Sequence, residues 1–235
     1  MSDKNQFYAS YKNVKIGCHD CKGCSACCVD MGDSIIMDPF DFYRMETGLS
    51  YSPSDILGQY AELKIHEGLI LPNLKMVKVT DDVEQCGFLN EEGRCRIHAY
   101  RPGLCRLFPL GRNYEDGIMT YFILEDVCHA KGDRTKVKIS EWIAIKDMER
   151  YERFLTDWHY YLKDIRAKIT ALPQDEWESG MKTASMNILQ TFFLLPYDTE
   201  KIFMNSFTTD YQSSLCNINF LRRMRLWAHP VFLYL

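Results

Sequence analysis

The sequence predicts an α+β fold in two parts. A cysteine-rich part of short strands and helices spans residues 1–136, and a mainly helical part over 137–235 packs on it. Three observations predict this. Nine of the ten cysteines lie between Cys18 and Cys128, with only Cys216 beyond. The same stretch is built of short apolar runs separated by turn residues. After about residue 137 the large apolar residues take up a three-and-four spacing, which is that of one helix face.

The elements follow in order. SIIM (34–37) reads as a strand. Asp38-Pro39 is an N-cap and first helical position, opening a short helix that Gly48 closes. Ser52-Pro53 repeats the signal before a second short helix. LKMVKV (74–79) alternates and predicts a half-buried strand. CGFL, NEEG and RCRI read as strand, turn and strand. RLFPLGRNY, EDG and IMTYFIL form another hairpin, with Asp116-Gly117 supplying the turn. In the second part, Tyr151, Leu155, Trp158, Leu162, Ile165 and Ile169 lie on one helix face, and Pro173 stops that helix. Trp177, Met181, Ala184, Ile188, Phe192 and Leu195 mark the next helix, ended by Pro196. A third helix is expected from Asp198-Thr199-Glu200, before a basic and apolar segment, FLRRMRLWAHP.

A composition 46% hydrophobic and 26% charged is that of a globular protein able to bury a core without staples. A net charge of −4 gives no general pull toward nucleic acid or anionic membrane. LRRMRLW (221–227) is the one candidate nucleic-acid segment, and a solvated helix face accounts for it more simply; no nucleic-acid partner is expected. The polar N-terminus has no signal-peptide pattern, and no apolar run is long enough to span a bilayer. A cytoplasmic location is the expectation, and thiols there stay reduced, so clustered cysteines point to metal or redox chemistry.

The run CHDCKGCSACC (18–28) holds five cysteines in eleven positions. A C-x-x-C spacing lets two sulfurs converge on one ion while intervening N–H groups turn toward them. Cys18, Cys21, Cys24 and Cys27 overlap three such spacings. Adjacent side chains in an extended segment point to opposite sides, so Cys27 and Cys28 are expected to face different centres, or one of them is no ligand. A second group is Cys86, Cys95, Cys105 and Cys128, each at a predicted strand or turn end. With Cys21, Cys24, Cys27 and Cys28 these make eight thiols, enough for two tetrathiolate zinc sites, two iron–sulfur clusters, or one of each. Cys18 is a reserve, and Cys216 reads as a buried small hydrophobe. The ferredoxin run is matched only in part, because Val29 stands where its proline would be. The C-x₃-C-x₂-C triplet of radical chemistry on S-adenosylmethionine is missing, since Met31 occupies its third position.

The order C21-x-x-C24-x-x-C27-C28, C86-G-F-L, C95-R-I-H-A-Y-R-P-G-L-C105-R-L-F-P resembles the CxxCxxCC cysteine-cluster family, over roughly residues 18–130. That family is described as zinc- or iron-chelating, and some members carry the name flagellin N-methylase. The resemblance implies a metal-binding first part with about eight ligand-type cysteines, at the eight positions above. Its methylase members imply methyl transfer from S-adenosylmethionine to lysines of a protein such as flagellin, aided by an iron–sulfur cluster. The resemblance implies little about the helical half.

Among other residues, His19 and His98 are alternative ligands, although a solvent-facing or supporting imidazole is the simpler account of each. Arg101 and Arg106 bracket Cys105; they are candidates to donate to cluster sulfurs or to bind the carboxylate of S-adenosylmethionine, against surface ion pairing. Asp38, Asp41 and Tyr43 could line a pocket or simply cap a helix. Trp142, Tyr151, Trp158 and Trp177 read as core. No G-x-G-x-x-G or P-loop occurs. Three functions follow as expectations: a protein holding zinc or an iron–sulfur cluster, a lysine N-methyltransferase, and a carrier of electrons or metal. If the metal is structural, its removal is expected to unfold the first part and spare much of the helical half.

Overall fold

A computed structural model describes residues 6–17, 24–125, 127–128 and 134–194. The expected third helix, Cys18, His19, Cys21, Cys216 and the basic C-terminal segment lie outside the described residues. Short antiparallel strands come first and the long helices gather at the end, in keeping with an α+β fold.

The chain opens with β1 (Asn13–Gly17), whose Val14 and Ile16 are buried. A 3-10 turn follows over Ala26–Cys28. The SIIM segment makes a single bridge, Ile36 to Asn73, flanked by hydrogen bonds from Leu74 N to Ile35 O and from Met37 N to Pro72 O. Pro72 has no N–H with which to complete the next rung, so the expected strand stays one bridge long. Helix α1 (Pro39–Leu49) begins at Asp38 with Pro39 at its first position. It runs past Gly48 and ends at Ser50 in left-handed backbone, φ 58°. Gly48 serves another purpose: a Cβ there would lie 1.9 Å from the Tyr100 ring. Helix α2 (Pro53–Asp55) is capped by Ser52 in the same way and passes into a π turn, Ile56–Tyr60.

Two hairpins come next. β2 (Ala61–His66) pairs with β3 (Leu69–Leu74), and β4 (Met76–Lys78) with β5 (Glu84–Cys86), both antiparallel. The expected strand over 74–79 is therefore divided. Lys75 leaves the ladder and donates its N–H to Tyr60 O. The CGFL–RCRI hairpin contracts to one bridge, Leu89 to Cys95, closed by Arg96 N to Phe88 O. A short helix α3 (Gly103–Leu107) carries Cys105. β6 (Leu110–Glu115) and β7 (Ile118–Ile123) then pair about Asp116 (φ 49°) and Gly117 (φ 78°), as the Asp-Gly signal predicts. β8 (Thr135–Lys138) returns to pair antiparallel with β1. Helix α4 (Ile139–Ile143) leads to α5 (Met148–Thr170) and α6 (Trp177–Leu189), the last extended by a π turn, Gln190–Leu194.

The apolar stripe of α5 divides between two cores. Tyr151 and Leu155 pack with Val14, Ile16, Leu110, Tyr121 and Ile139. Trp158, Leu162 and Ile165 pack with Phe42, Leu69, Leu71, Ile188, Phe192 and Phe193. The second core also contains Cys86, Phe88 and Ile97, so the cysteine-bearing segments and the long helices bury their apolar surface together.

Candidate metal centre

Three pieces of chain separated in sequence bring cysteines to a cavity of about 70 Å³. They are the stretch from Cys24 through the 3-10 turn, the segment from β5 to Cys95, and the stretch from Ile97 to Cys105. Six cysteines line it: Cys24, Cys27, Cys28, Cys86, Cys95 and Cys105. Ile35, Leu74 and Phe88 form its apolar wall, while His98 and Arg101 bring polar atoms to it. Cys128 is half-buried and not among the lining residues; its carbonyl accepts from Arg134 Nη2 at 3.2 Å.

The backbone around two of these thiols suits thiolates. The Cys86 sulfur accepts the N–H of Phe88, and the Cys95 sulfur accepts that of Ile97. Each N–H two residues on favours the charged sulfur, the arrangement a C-x-x turn uses to prepare a metal ligand. Burial acts the other way and raises both thiols, and it pushes Cys105 well up too. A bound cation would reverse that balance, because coordination deprotonates a thiol outright.

Cys27 and Cys28 depart from the expectation of opposite orientation. That expectation assumed extended backbone. The 3-10 turn instead sets their sulfurs 4.0 Å apart. Two thiolates at about 2.3 Å from one tetrahedral ion stand about 3.8 Å apart, so the pair has the spacing of ligands to a shared ion. The sulfur–sulfur contact with Cys28 is the largest cause that, against the effect of burial, holds the Cys27 thiol down at about 6, with Arg101 adding to the fall. Cys28 is correspondingly raised, by that same bond and by burial.

Residues 20–129 match the model of a family named CxxCxxCC, described as "Putative zinc- or iron-chelating domain". This stretch is a CxxCxxCC domain. Neither a curated protein nor a solved structure matches the chain. The family description gives the CxxCxxCC domain a zinc- or iron-chelating role. Its donors fit that role: soft sulfur ligands on short turns, two with backbone N–H support and two at tetrahedral spacing. Among the described residues no three His, Cys, Asp or Glu side chains are grouped tightly enough to hold an ion. The chemistry and placement of the donors, rather than a closed coordination shell, therefore carry the assignment.

The two arginines of the CxxCxxCC domain separate in role. Arg101 lies on the cavity wall, and its Nη1 is 2.6 Å from His98 Nε2. Arg106 is buried and turned away from the lining, donating to Ala99 O and, at 3.1 Å, to Ile143 O. Burial lowers its pKa to about 10, with Arg44 and Arg101 adding to the fall. It ties the cysteine loop to α4.

Asp38 and Asp41 are buried within the domain but are not among the cavity lining. Asp38 Oδ1 accepts from Asp41 N and Asp41 Oδ2 accepts from Asp38 N, both at 3.0 Å. Burial raises both carboxyls, and the Asp38 charge raises Asp41 further, while Arg112 opposes the rise in each. Arg112 Nη2 donates to Tyr151 OH at 2.9 Å. Burial works against the Arg112 charge, but Tyr151, Tyr114 and Asp38 more than offset it. In the sequence Arg112 belongs to no motif, and Tyr151 reads as core alone. No local signal joins residues that lie 39 apart in sequence.

Proposed function

We propose that the CxxCxxCC domain holds zinc or an iron–sulfur cluster through cysteine thiolates. One observation carries this reading: cysteines from the early run and from the middle of the chain, Cys24, Cys27 and Cys28 with Cys86, Cys95 and Cys105, face a single cavity. Cys21 and Cys128 complete the set of eight that the sequence motif supplies. Such a centre would add binding free energy to the fold, about 10–16 kcal/mol of apparent value for structural zinc. An iron–sulfur cluster would also supply electron transfer. The test is purification without oxygen, with a visible spectrum and assays of iron, zinc and acid-labile sulfide. Matching iron and sulfide in a brown protein support the cluster, and zinc in a colourless one supports the structural site. A chain purified with neither metal, and taking up neither when reconstituted, would overturn the reading.

Methyl transfer from S-adenosylmethionine to a flagellin-like lysine is a second reading, supported by the placement of Arg101 at the cavity. Its guanidinium is the candidate partner for the cofactor carboxylate, whereas Arg106 is committed to backbone carbonyls. Labelled methyl transfer to a lysine-rich acceptor, lost in Arg101→Gln, is the expected result. Absence of cofactor binding by the metal-loaded protein would remove this reading.

A further inference from the structure

The loop that brings Cys105 to the cavity is held from below by a carboxylate. Asp41 Oδ1 accepts the N–H of Gly103 at 2.7 Å, a buried bond between residues 62 apart. Its other oxygen closes the reciprocal cap with Asp38. One side chain thus fixes both the start of α1 and the start of α3, two residues before Cys105.

The contact leaves little room for displacement. A Cβ on Gly103 would stand 2.5 Å from Tyr151 OH, 2.9 Å from Arg112 Nη2 and 3.5 Å from Asp41 Oδ1. Gly103 is therefore pressed onto a floor made by α1, β6 and α5. Its backbone dihedrals are not in the left-handed region, so close approach alone explains the glycine. Beyond Cys105, Arg106 pins the other end of α3 to Ala99 O and Ile143 O. Cys105 sits on a segment clamped at both ends, and Asp41 is the clamp on the entry side.

We infer that Asp41 is a positioning residue of the metal centre, aiming Cys105 into the cavity through its bond to Gly103. The inference rests on the metal-binding reading above. Supporting groups of this kind orient ligands, and their loss costs about 10–100-fold in metal affinity.

The test is titration of the full reduced chain with Co²⁺ as probe, with a competing chelator and the sulfur-to-cobalt absorption as readouts. Asp41→Ala is expected to weaken Co²⁺ binding about 10-fold or more and to reduce that absorption. Asp38→Ala removes the other half of the reciprocal cap, the bond from Asp41 N, but leaves the Gly103 bond, and is expected to bind Co²⁺ as the unchanged chain does. If Asp41→Ala fails to fold, Gly103→Ala takes its place: its Cβ lifts the turn off the carboxylate, and the same loss of affinity is expected. Equal weakening by Asp38→Ala and Asp41→Ala would reduce Asp41 to a helix cap and overturn the inference. Unchanged binding and absorption in Asp41→Ala, or in Gly103→Ala where that stands in, would overturn it too. Should the unchanged chain take up no Co²⁺, the zinc form of the metal reading falls and this inference with it; a deficit confined to the Asp41 and Gly103 variants leaves that reading standing.

Discussion

Cys27 and Cys28 are joined by one peptide bond and are driven to opposite proton affinities. Cys27 is lowered to about 6. A lowered folded-state pKa contributes stability that is fully present above the unfolded value, about 8.5, and is lost as pH falls through about 6. Cys28 is raised and contributes in the opposite sense, so the clean readout is reactivity rather than stability. In the metal-free chain, iodoacetamide should modify Cys27 before Cys28, with a rate that falls as pH drops through about 6. Cys28→Ala should move that midpoint upward, because the largest cause of the lowering is removed; mass spectrometry of timed digests reads both. Arg106 offers a second check. Arg106→Ala leaves the Ile143 carbonyl without this donor, and urea unfolding should show a loss of about 1–3 kcal/mol. At this scale the thiols were legible because cysteine is rare and its spacing is chemical. Their relative orientation was not, because it depends on a 3-10 turn that no motif announces. The reach of Asp41 to Gly103 was equally hidden, since the sequence shows the cap and not the second acceptor.

The hairpins show where element-scale reading succeeds and where it stops. Asp116-Gly117 was recognisable as a turn because both residues tolerate positive φ. Glu67-Gly68 adopts the same pair of conformations, φ 49° and 86°, with a glutamate that gives no such signal. Its strand β3 also departs from alternation, being buried on nearly every residue between β2 and α6. Gly68→Ala should destabilise the protein by about 1–2 kcal/mol, since the turn needs left-handed backbone and the new Cβ would lie 2.7 Å from Met181 Sδ. Denaturant titration against the wild type measures it. Ser185 joins the same elements: its Oγ accepts from Ile70 N at 2.9 Å and donates to Met181 O at 2.7 Å. Ser185→Ala leaves the Ile70 N–H without that acceptor and should cost about 1–3 kcal/mol. The long helices, by contrast, were plain from spacing alone, because α5 buries one regular face along most of its length.

Across the whole molecule, the cysteine-bearing segments and the helices share a core. Cys86, Phe88 and Ile97 belong to the same buried cluster as Trp158, Ile188 and Phe193. A boundary at residue 136 follows the change in sequence character, but apolar packing runs across it. This changes what metal removal should do. Instead of melting the first part and sparing the helices, a strong chelator should lower a single transition in which helical and near-ultraviolet signals are lost together. Two well-separated transitions in a calorimetric scan would show that the shared core does not couple the parts. β1 and β8 add a further consequence. They lie flush against each other on either side of the family-matched stretch, so the chain enters and leaves it at one doorway. Residues inserted at an exposed turn of that stretch, such as Asp81-Asp82 between β4 and β5, should leave the start of α4 and α5 where it is, because both ends of the stretch stay fastened at that doorway.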